Sequence, residues 1–253
     1  MAEATISDRA GAKAAAGTTR RPVRGLHFGM AVLMSILVVL GFRPFYAGLV
    51  TGQIAPAHPL IHLHAAVFTG WLLLFLVQTW LVMRRRVGLH QRVGQIGILY
   101  GLGVLLLGSV TALLVPAVNF ADGRMTLDQA AGFLLLPIGD MILFGAFFVP
   151  AIIYRRDREK HRRLMVLAAV ALVFPGAARF AFSAGPAAVL ATWLLPLGVA
   201  MAHDAWAWRR IHRIYWIGLG VFVVGFARVA LMEAEAWLVI GRQIVNTLLP
   251  LVR

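Results

Sequence analysis

Residues 58–86, HPLIHLHAAVFTGWLLLFLVQTWLVMRRR, pass from three histidines through a long uncharged apolar stretch to three consecutive arginines. As a helix, residues 60–83 would extend about 36 Å, enough to cross a hydrocarbon core about 30 Å thick. Comparable runs recur at 27–48, 93–116, 130–154, 163–183, 187–208 and 214–236. Between them lie RRRVGLHQR (84–92), NFADGRMTLD (119–128), RRDREKHRR (155–163), FSAGP (182–186) and RRIHR (209–213). The 253 residues are 60% hydrophobic and only 13% charged, with a mean hydropathy of +0.82. Soluble domains run to roughly 45–50% apolar and about 25% charged.

The expected fold is therefore all-α, a polytopic membrane helix bundle with seven transmembrane helices over residues 27–236. Residues 1–26, rich in Ala, Thr, Gly and Arg, read as a flexible basic cytoplasmic tail. In the C-terminal segment 237–253, Trp237, Leu238, Ile240, Ile244, Val245, Leu248 and Leu249 fall mostly on one helical face, the pattern of a short amphipathic interfacial helix.

The net charge of +14 would suggest nucleic acid in a soluble chain, but here it follows topology. The tail and the loops at 84–92, 155–163 and 209–213 carry 18 of the 24 Lys and Arg residues. Basic loops are retained on the cytoplasmic side, so the N-terminus is expected inside and the C-terminus outside a bacterial inner membrane. The expected partners are the lipid bilayer and either a membrane-complex partner or a second copy of the chain, with no nucleic acid. Cysteine is absent, which excludes Fe–S clusters and thiolate chemistry.

Charged groups inside a span cost about 2.5–3.5 kcal/mol each on insertion scales and therefore face a partner or the bundle interior. Asp140 sits well inside span four, Arg179 near the outer end of span five and Arg228 toward the outer side of span seven. His64 lies at a similar depth, so the four form a candidate polar intramembrane site, with Asp140 paired to Arg228 or to Arg179. His62 stands about 200° round the helix from His64 and cannot share its site. Pro137, Pro150, Pro175 and Pro196 place kinks within spans four to six.

A second cluster is expected at the cytoplasmic face, where His90, His161, His203, Asp204 and His212 are candidate ligands for haem b or a transition metal. The same residues also suit interface, capping or proton-exchange roles. Retinal is excluded because the only lysines are Lys13 and Lys160, outside the last span. No H-E-x-x-H, G-x-S-x-G or phosphate-loop motif appears, and no catalytic residue can be assigned.

The segments HLHAAVFTGWLLLFLVQTWLV (62–82), RVGLHQRVGQIG (86–97), HRRLMVLAAVALVFPGAARF (161–180), HDAWAWRRIHRIY (203–215) and GFARVAL (225–231) resemble a widespread group of bacterial membrane proteins with about seven helices and no established activity. The resemblance implies recurring positions at His64, Gln78, His90, Gly94, His161, Met165, Arg179, Asp204, His212 and Arg228, and it implies no reaction. Three functions stay open at this point. The first is an accessory or binding protein with a polar His/Asp/Arg site that holds a single haem or metal in redox or assembly work. The second is a proton-coupled small-molecule carrier using Asp140, Arg179 and Arg228. The third is a membrane enzyme with a His/Asp site at the cytoplasmic face.

Overall fold

The computed structural model describes residues 25–53 and 58–252; the expected tail, apart from its last two residues, lies outside them. The described residues form α1 (Leu26–Val50), α2 (Pro59–Met83), α3 (Val87–Ala121), α4 (Leu127–Phe133), α5 (Leu135–Ile153), α6 (Arg158–Ala171) and α7 (Phe174–Ala181). They continue with α8 (Pro186–Trp208), α9 (Arg213–Phe226), α10 (Arg228–Leu231) and α11 (Glu235–Leu248), with 3₁₀ turns at Phe182–Ala184 before α8 and Leu249–Leu251 after α11, and no strand occurs among them. Six helices are long and apolar enough to cross a membrane, with α4 and α5 counting as one and α9 and α10 as another. A bent pair, α6 with α7, makes a seventh if it is taken as one span.

Local chemistry sets the helix starts. Pro59 occupies the first turn of α2 behind His58, whose Nδ1 accepts from Leu60 N. Thr126 and Gln129 form a reciprocal capping box at α4. Asp157 Oδ1 accepts from the backbone N–H groups of Glu159 and Lys160 at α6. The loop between α2 and α3 shrinks to Arg84–Arg86, made possible by a left-handed conformation at Arg85 (φ 59°).

The expected fifth span, 163–183, is broken. The axis bends by 46° between Ala171 and Phe174, where Pro175 cannot donate a backbone hydrogen bond and favours a helix start. Trp193 of α8 donates its indole N–H to Val170 O at 2.8 Å, a carbonyl at the bend that also accepts from Val173 N at 3.1 Å. The expected seventh span, 214–236, ends sooner. Its helix is interrupted at Ala227 and stops at Leu231, and the chain then turns into α11. Helix α3 overshoots its expected range at both ends, so His90 and Arg92 are helical rather than in a loop.

α6 is the central element, with Val166 through Ala171 all buried. Around it pack Phe144 and Phe148 of α5, Trp193 of α8 and Phe222 of α9, while Trp71 of α2 meets Phe144 and Phe148 edge-on. Missing side chains permit the closest approaches. A Cβ on Gly41 of α1 would overlap the carbonyl of Gly176 in α7, and one on Gly218 would collide with Leu167. α11 folds back on α4 and the end of α3, burying Leu238, Gly241 and Val245. Trp237 Nε1 donates there to Ala131 O, and Arg242 bridges Asp128 and Glu235.

Because Gly41 and Gly176 meet backbone to backbone, Gly176→Val is expected to destabilise the protein by about 1–3 kcal/mol through overpacking. A thermal melt in detergent checks this; an unchanged midpoint would remove the α1–α7 contact from the account.

Candidate functional site

Two arginine–aspartate pairs are buried in this bundle, and they differ in how completely their polar atoms are satisfied. Near the start of α6, Arg163 reaches Asp204 at the end of α8 through Nε (3.0 Å to Oδ2) and Nη2 (2.8 Å to Oδ2, 3.1 Å to Oδ1). Its Nη1 donates to the carboxylate of Glu159 at 2.6 Å and to the Glu159 carbonyl at 3.1 Å. All five guanidinium hydrogens thus have an acceptor. Asp204 Oδ2 also accepts from His212 N at 3.3 Å, and the Tyr215 ring lies 5.5 Å from the guanidinium carbon. This clamp joins α6, α8 and the turn into α9.

The second pair is less complete. Arg228 follows the break at Ala227, and its Nη2 donates to Oδ1 of Asp140 on α5. Nη1 donates to Gly225 O at 2.9 Å, and Nε is buried without any partner. Asp140 is 3% and Arg228 7% exposed, so the open donor is sheltered by protein. The guanidinium lies 4.6 Å from the Phe174 ring and 5.7 Å from that of Trp193. Gly139 makes room for it, because a Cβ there would stand 2.6 Å from Arg228 Cδ.

Arg179 and His64 flank this pair. Arg179 is on α7, donates Nη1 to Pro175 O at 3.0 Å and lies 4.4 Å over the Phe42 ring. It interacts electrostatically with both Asp140 and His64. His64 stacks on Phe68 (4.0 Å between centroids) and sets Nδ1 3.0 Å from the hydroxyl of buried Thr111. That hydroxyl also faces the carbonyls of Leu107 and Gly108. Donation to either carbonyl leaves Thr111 accepting from His64 Nδ1–H and puts the imidazole lone pair on Nε2. Asp140 thus pairs with Arg228, and Arg179 lies within electrostatic range of both Asp140 and His64.

The five cytoplasmic-face candidates do not converge. Asp204 is consumed by Arg163. His212 caps α9, its Nδ1 accepting from Ile214 N at 3.2 Å. The Gln78 carboxamide lies between His90 and Gly94, and the orientation its neighbours require has its nitrogen donating to His90 Nδ1 and its oxygen accepting from Gly94 N. His161 sets Nδ1 2.8 Å from Ala151 O, and its ring centroid is 6.5 Å from that of His90. The His203 ring lies 6.2 Å from Trp206. Among the described residues no group of three or more His, Asp or Glu is placed to hold a metal ion. A surface cavity of about 320 Å³ is lined by Glu159, Arg163, Asp204, Trp208, Arg210 and His212, with Arg163 and Asp204 already turned to each other.

Reading the sequence by topology missed Arg163 as a site residue, because it ends a basic loop and was counted with the retained charges. Two signals point to it: its spacing of four from Glu159, and the need of Asp204 for a cation at its depth. Thr111 and Trp193 are further polar partners that carry no motif. No protein-family model, curated protein or solved structure matches the chain.

Removing one partner of a completed buried pair leaves the other charge uncompensated, so Asp204→Ala is expected to cost about 3–5 kcal/mol. Adding Arg163→Met should recover part of that loss, and a double-mutant cycle of detergent melts checks it. Burial, and next the Arg163 charge, hold the His212 imidazole below its ordinary range. A depressed histidine favours the folded state at high pH and withdraws that support as acid protonates it. Melting midpoints should fall between about pH 7.5 and 5, on either side of the ordinary value of about 6.5. His212→Asn, which keeps a capping acceptor, should fall less; an equal fall would place the acid sensitivity elsewhere.

Proposed function

We propose that the chain is a seven-span protein of a bacterial inner membrane whose functional element is a small-molecule binding site at His64, Asp140, Arg179 and Arg228. What supports the membrane reading is six long apolar helices, a bent seventh and a row of basic turns. With α6 and α7 counted as one span, the basic turns at 84–86, 155–157 and 209–212 fall on one side together with the N-terminus. The positive-inside rule makes that side cytoplasmic.

One observation carries the choice of site, namely the buried Nε of Arg228 with no partner. Unsatisfied buried donors are rare and destabilising, so they point to a missing acceptor. The inner Arg163–Asp204 clamp offers no such vacancy and reads as structural. Haem or metal binding by His90, His161, His203, Asp204 and His212 draws no support from their dispersed geometry. A carrier is favoured over a static receptor by two helix interruptions beside the site: Ala227, adjacent to Arg228, and the 46° bend adjacent to Phe174. Such breaks are where spans move relative to one another. The family resemblance carried by the segments between 62 and 231 adds no reaction to this reading.

Since the chain lacks cysteine, single-cysteine variants report topology without background. Arg85→Cys should react with an impermeant maleimide only from the cytoplasmic side, and Asp122→Cys only from outside. Trp193 lies against Arg228 and serves as a fluorescent reporter of the site. Of benzoate, choline and glucose, at least one should change the wild-type fluorescence saturably and leave Arg228→Gln and Trp193→Phe unchanged. Labelling of both cysteines from one side would overturn the topology. The absence of any Arg228-dependent response would overturn the site.

A further inference from the structure

The two buried pairs allow the chemistry of the ligand to be read by internal comparison. Arg163 presents the edge formed by Nε and Nη2 to Asp204, and both nitrogens donate to that carboxylate. This is the fork arrangement in which guanidinium and carboxylate geometries match. Arg228 presents the same two nitrogens in the outer half of the bundle, but Asp140 engages only Nη2 and leaves Nε without an acceptor. The edge is half-filled, and the group that would fill it is a second carboxylate.

The charge count agrees. The charged side chains facing the site from the elements packed around it are Asp140 on α5, Arg179 on α7 and Arg228 on α10; His64 on α2 is the titratable neighbour of Arg179. The buried Asp140–Arg228 pair is neutral by itself, and Arg179, exposed at its edge, leaves the group of three with one excess positive charge. A monoanion brings the site to neutrality. A cation would raise the excess to two charges, and a dianion would reverse its sign.

Resting on the site proposed above, we infer that its ligand is a small monocarboxylate. Arg228 supplies the fork, Arg179 the second cation toward the outer side, and Asp140 the internal counter-ion that competes with the ligand for Arg228. Asp140 holds the arginine in place while the site is empty and gives up its hydrogen bond when a ligand takes the edge. Its hold is a single point, in contrast to the two-nitrogen grip of Asp204 on Arg163, and this makes the exchange feasible. The proposal thus assigns to Asp140 a role opposite to that of a ligand-binding residue, because its presence weakens binding.

The test titrates benzoate, acetate, inorganic phosphate, choline and glucose into protein in lipid-free detergent, with Trp193 fluorescence as the readout; omitting lipid keeps headgroups out of the comparison. Benzoate and acetate are expected to bind saturably, and choline and glucose not at all. Arg228→Lys keeps the charge but loses the fork and should weaken benzoate at least tenfold. Asp140→Asn removes the competitor and should tighten it at least tenfold. If choline, glucose or phosphate gives the Arg228-dependent response and benzoate does not, the site stands and the carboxylate assignment falls. If no probe responds in the wild type, both fall together. Benzoate binding that is unchanged in Arg228→Lys, or weakened in Asp140→Asn, overturns the fork-and-competitor arrangement. Arg228→Lys preserves the ion pair and decides the matter alone if Asp140→Asn does not purify.

Discussion

An ion buried among apolar side chains must have a counter-charge, and this constraint organises the interior of the bundle. Asp140, Asp204, Arg163 and Arg228 are all buried, and each is tied to a residue from a distant part of the sequence. Their pairings join α5 to α10 and α6 to α8, so helices that share few polar groups are held in one register. Hydrophobic packing alone specifies such registers weakly inside a membrane, where lipid is as apolar as the helix surfaces. The aromatic cluster of Phe144, Phe148, Trp193 and Phe222 fills the space around these pairs and lowers the dielectric that makes them matter.

The two pairs nevertheless solve the problem differently. Arg163 and Asp204 exhaust each other's hydrogen-bonding capacity, with Glu159 and His212 N completing the set. Arg228 and Asp140 meet at one contact and leave a donor open. A protein that needed only stability would gain by closing the second pair as it closes the first, or by replacing both partners with apolar residues. The open pair is therefore where function is sought, and its neighbours support that choice, since Arg179 adds charge and helix breaks lie on both sides.

Much of the architecture was legible in the sequence because hydropathy and length report directly on long apolar helices. Helices α1, α2 and α8 lie close to their expected ranges. The departures have local causes. The bend at 171–174 arises at Pro175, which cannot donate to Ala171 O, and Trp193 from a distant helix steadies the preceding turn by donating to Val170 O. The early end of α9–α10 follows from the chain turning so that α11 can bury Leu238 and Val245 against α4, a tertiary gain with no local signature. At the level of sites, Asp140, Arg228, Arg179 and His64 stand out in sequence because charge within an apolar run is conspicuous. Arg163 does not, because a buried arginine at a helix start looks the same as its solvated neighbours Arg158 and Arg162. The histidines mislead for a related reason. They share a level in the bundle, but level does not set facing, and caps and backbone carbonyls take up their ring nitrogens.

The meeting of Gly41 and Gly176 has a mechanical consequence. Backbone contact binds α7 to α1, while α6, the other half of the same bent span, is bound through Arg163 to α8 and the start of α9. The chain is continuous across the bend, and both halves also lie against α8, where Trp193 donates to Val170 O of α6 and packs on Phe174 of α7. Phe174, whose ring lies over Arg228, therefore sits at the bend itself, directly after buried Val173. Any change of angle at Leu172 and Val173 would be felt first by Phe174 and Trp193, the two rings packed on Arg228.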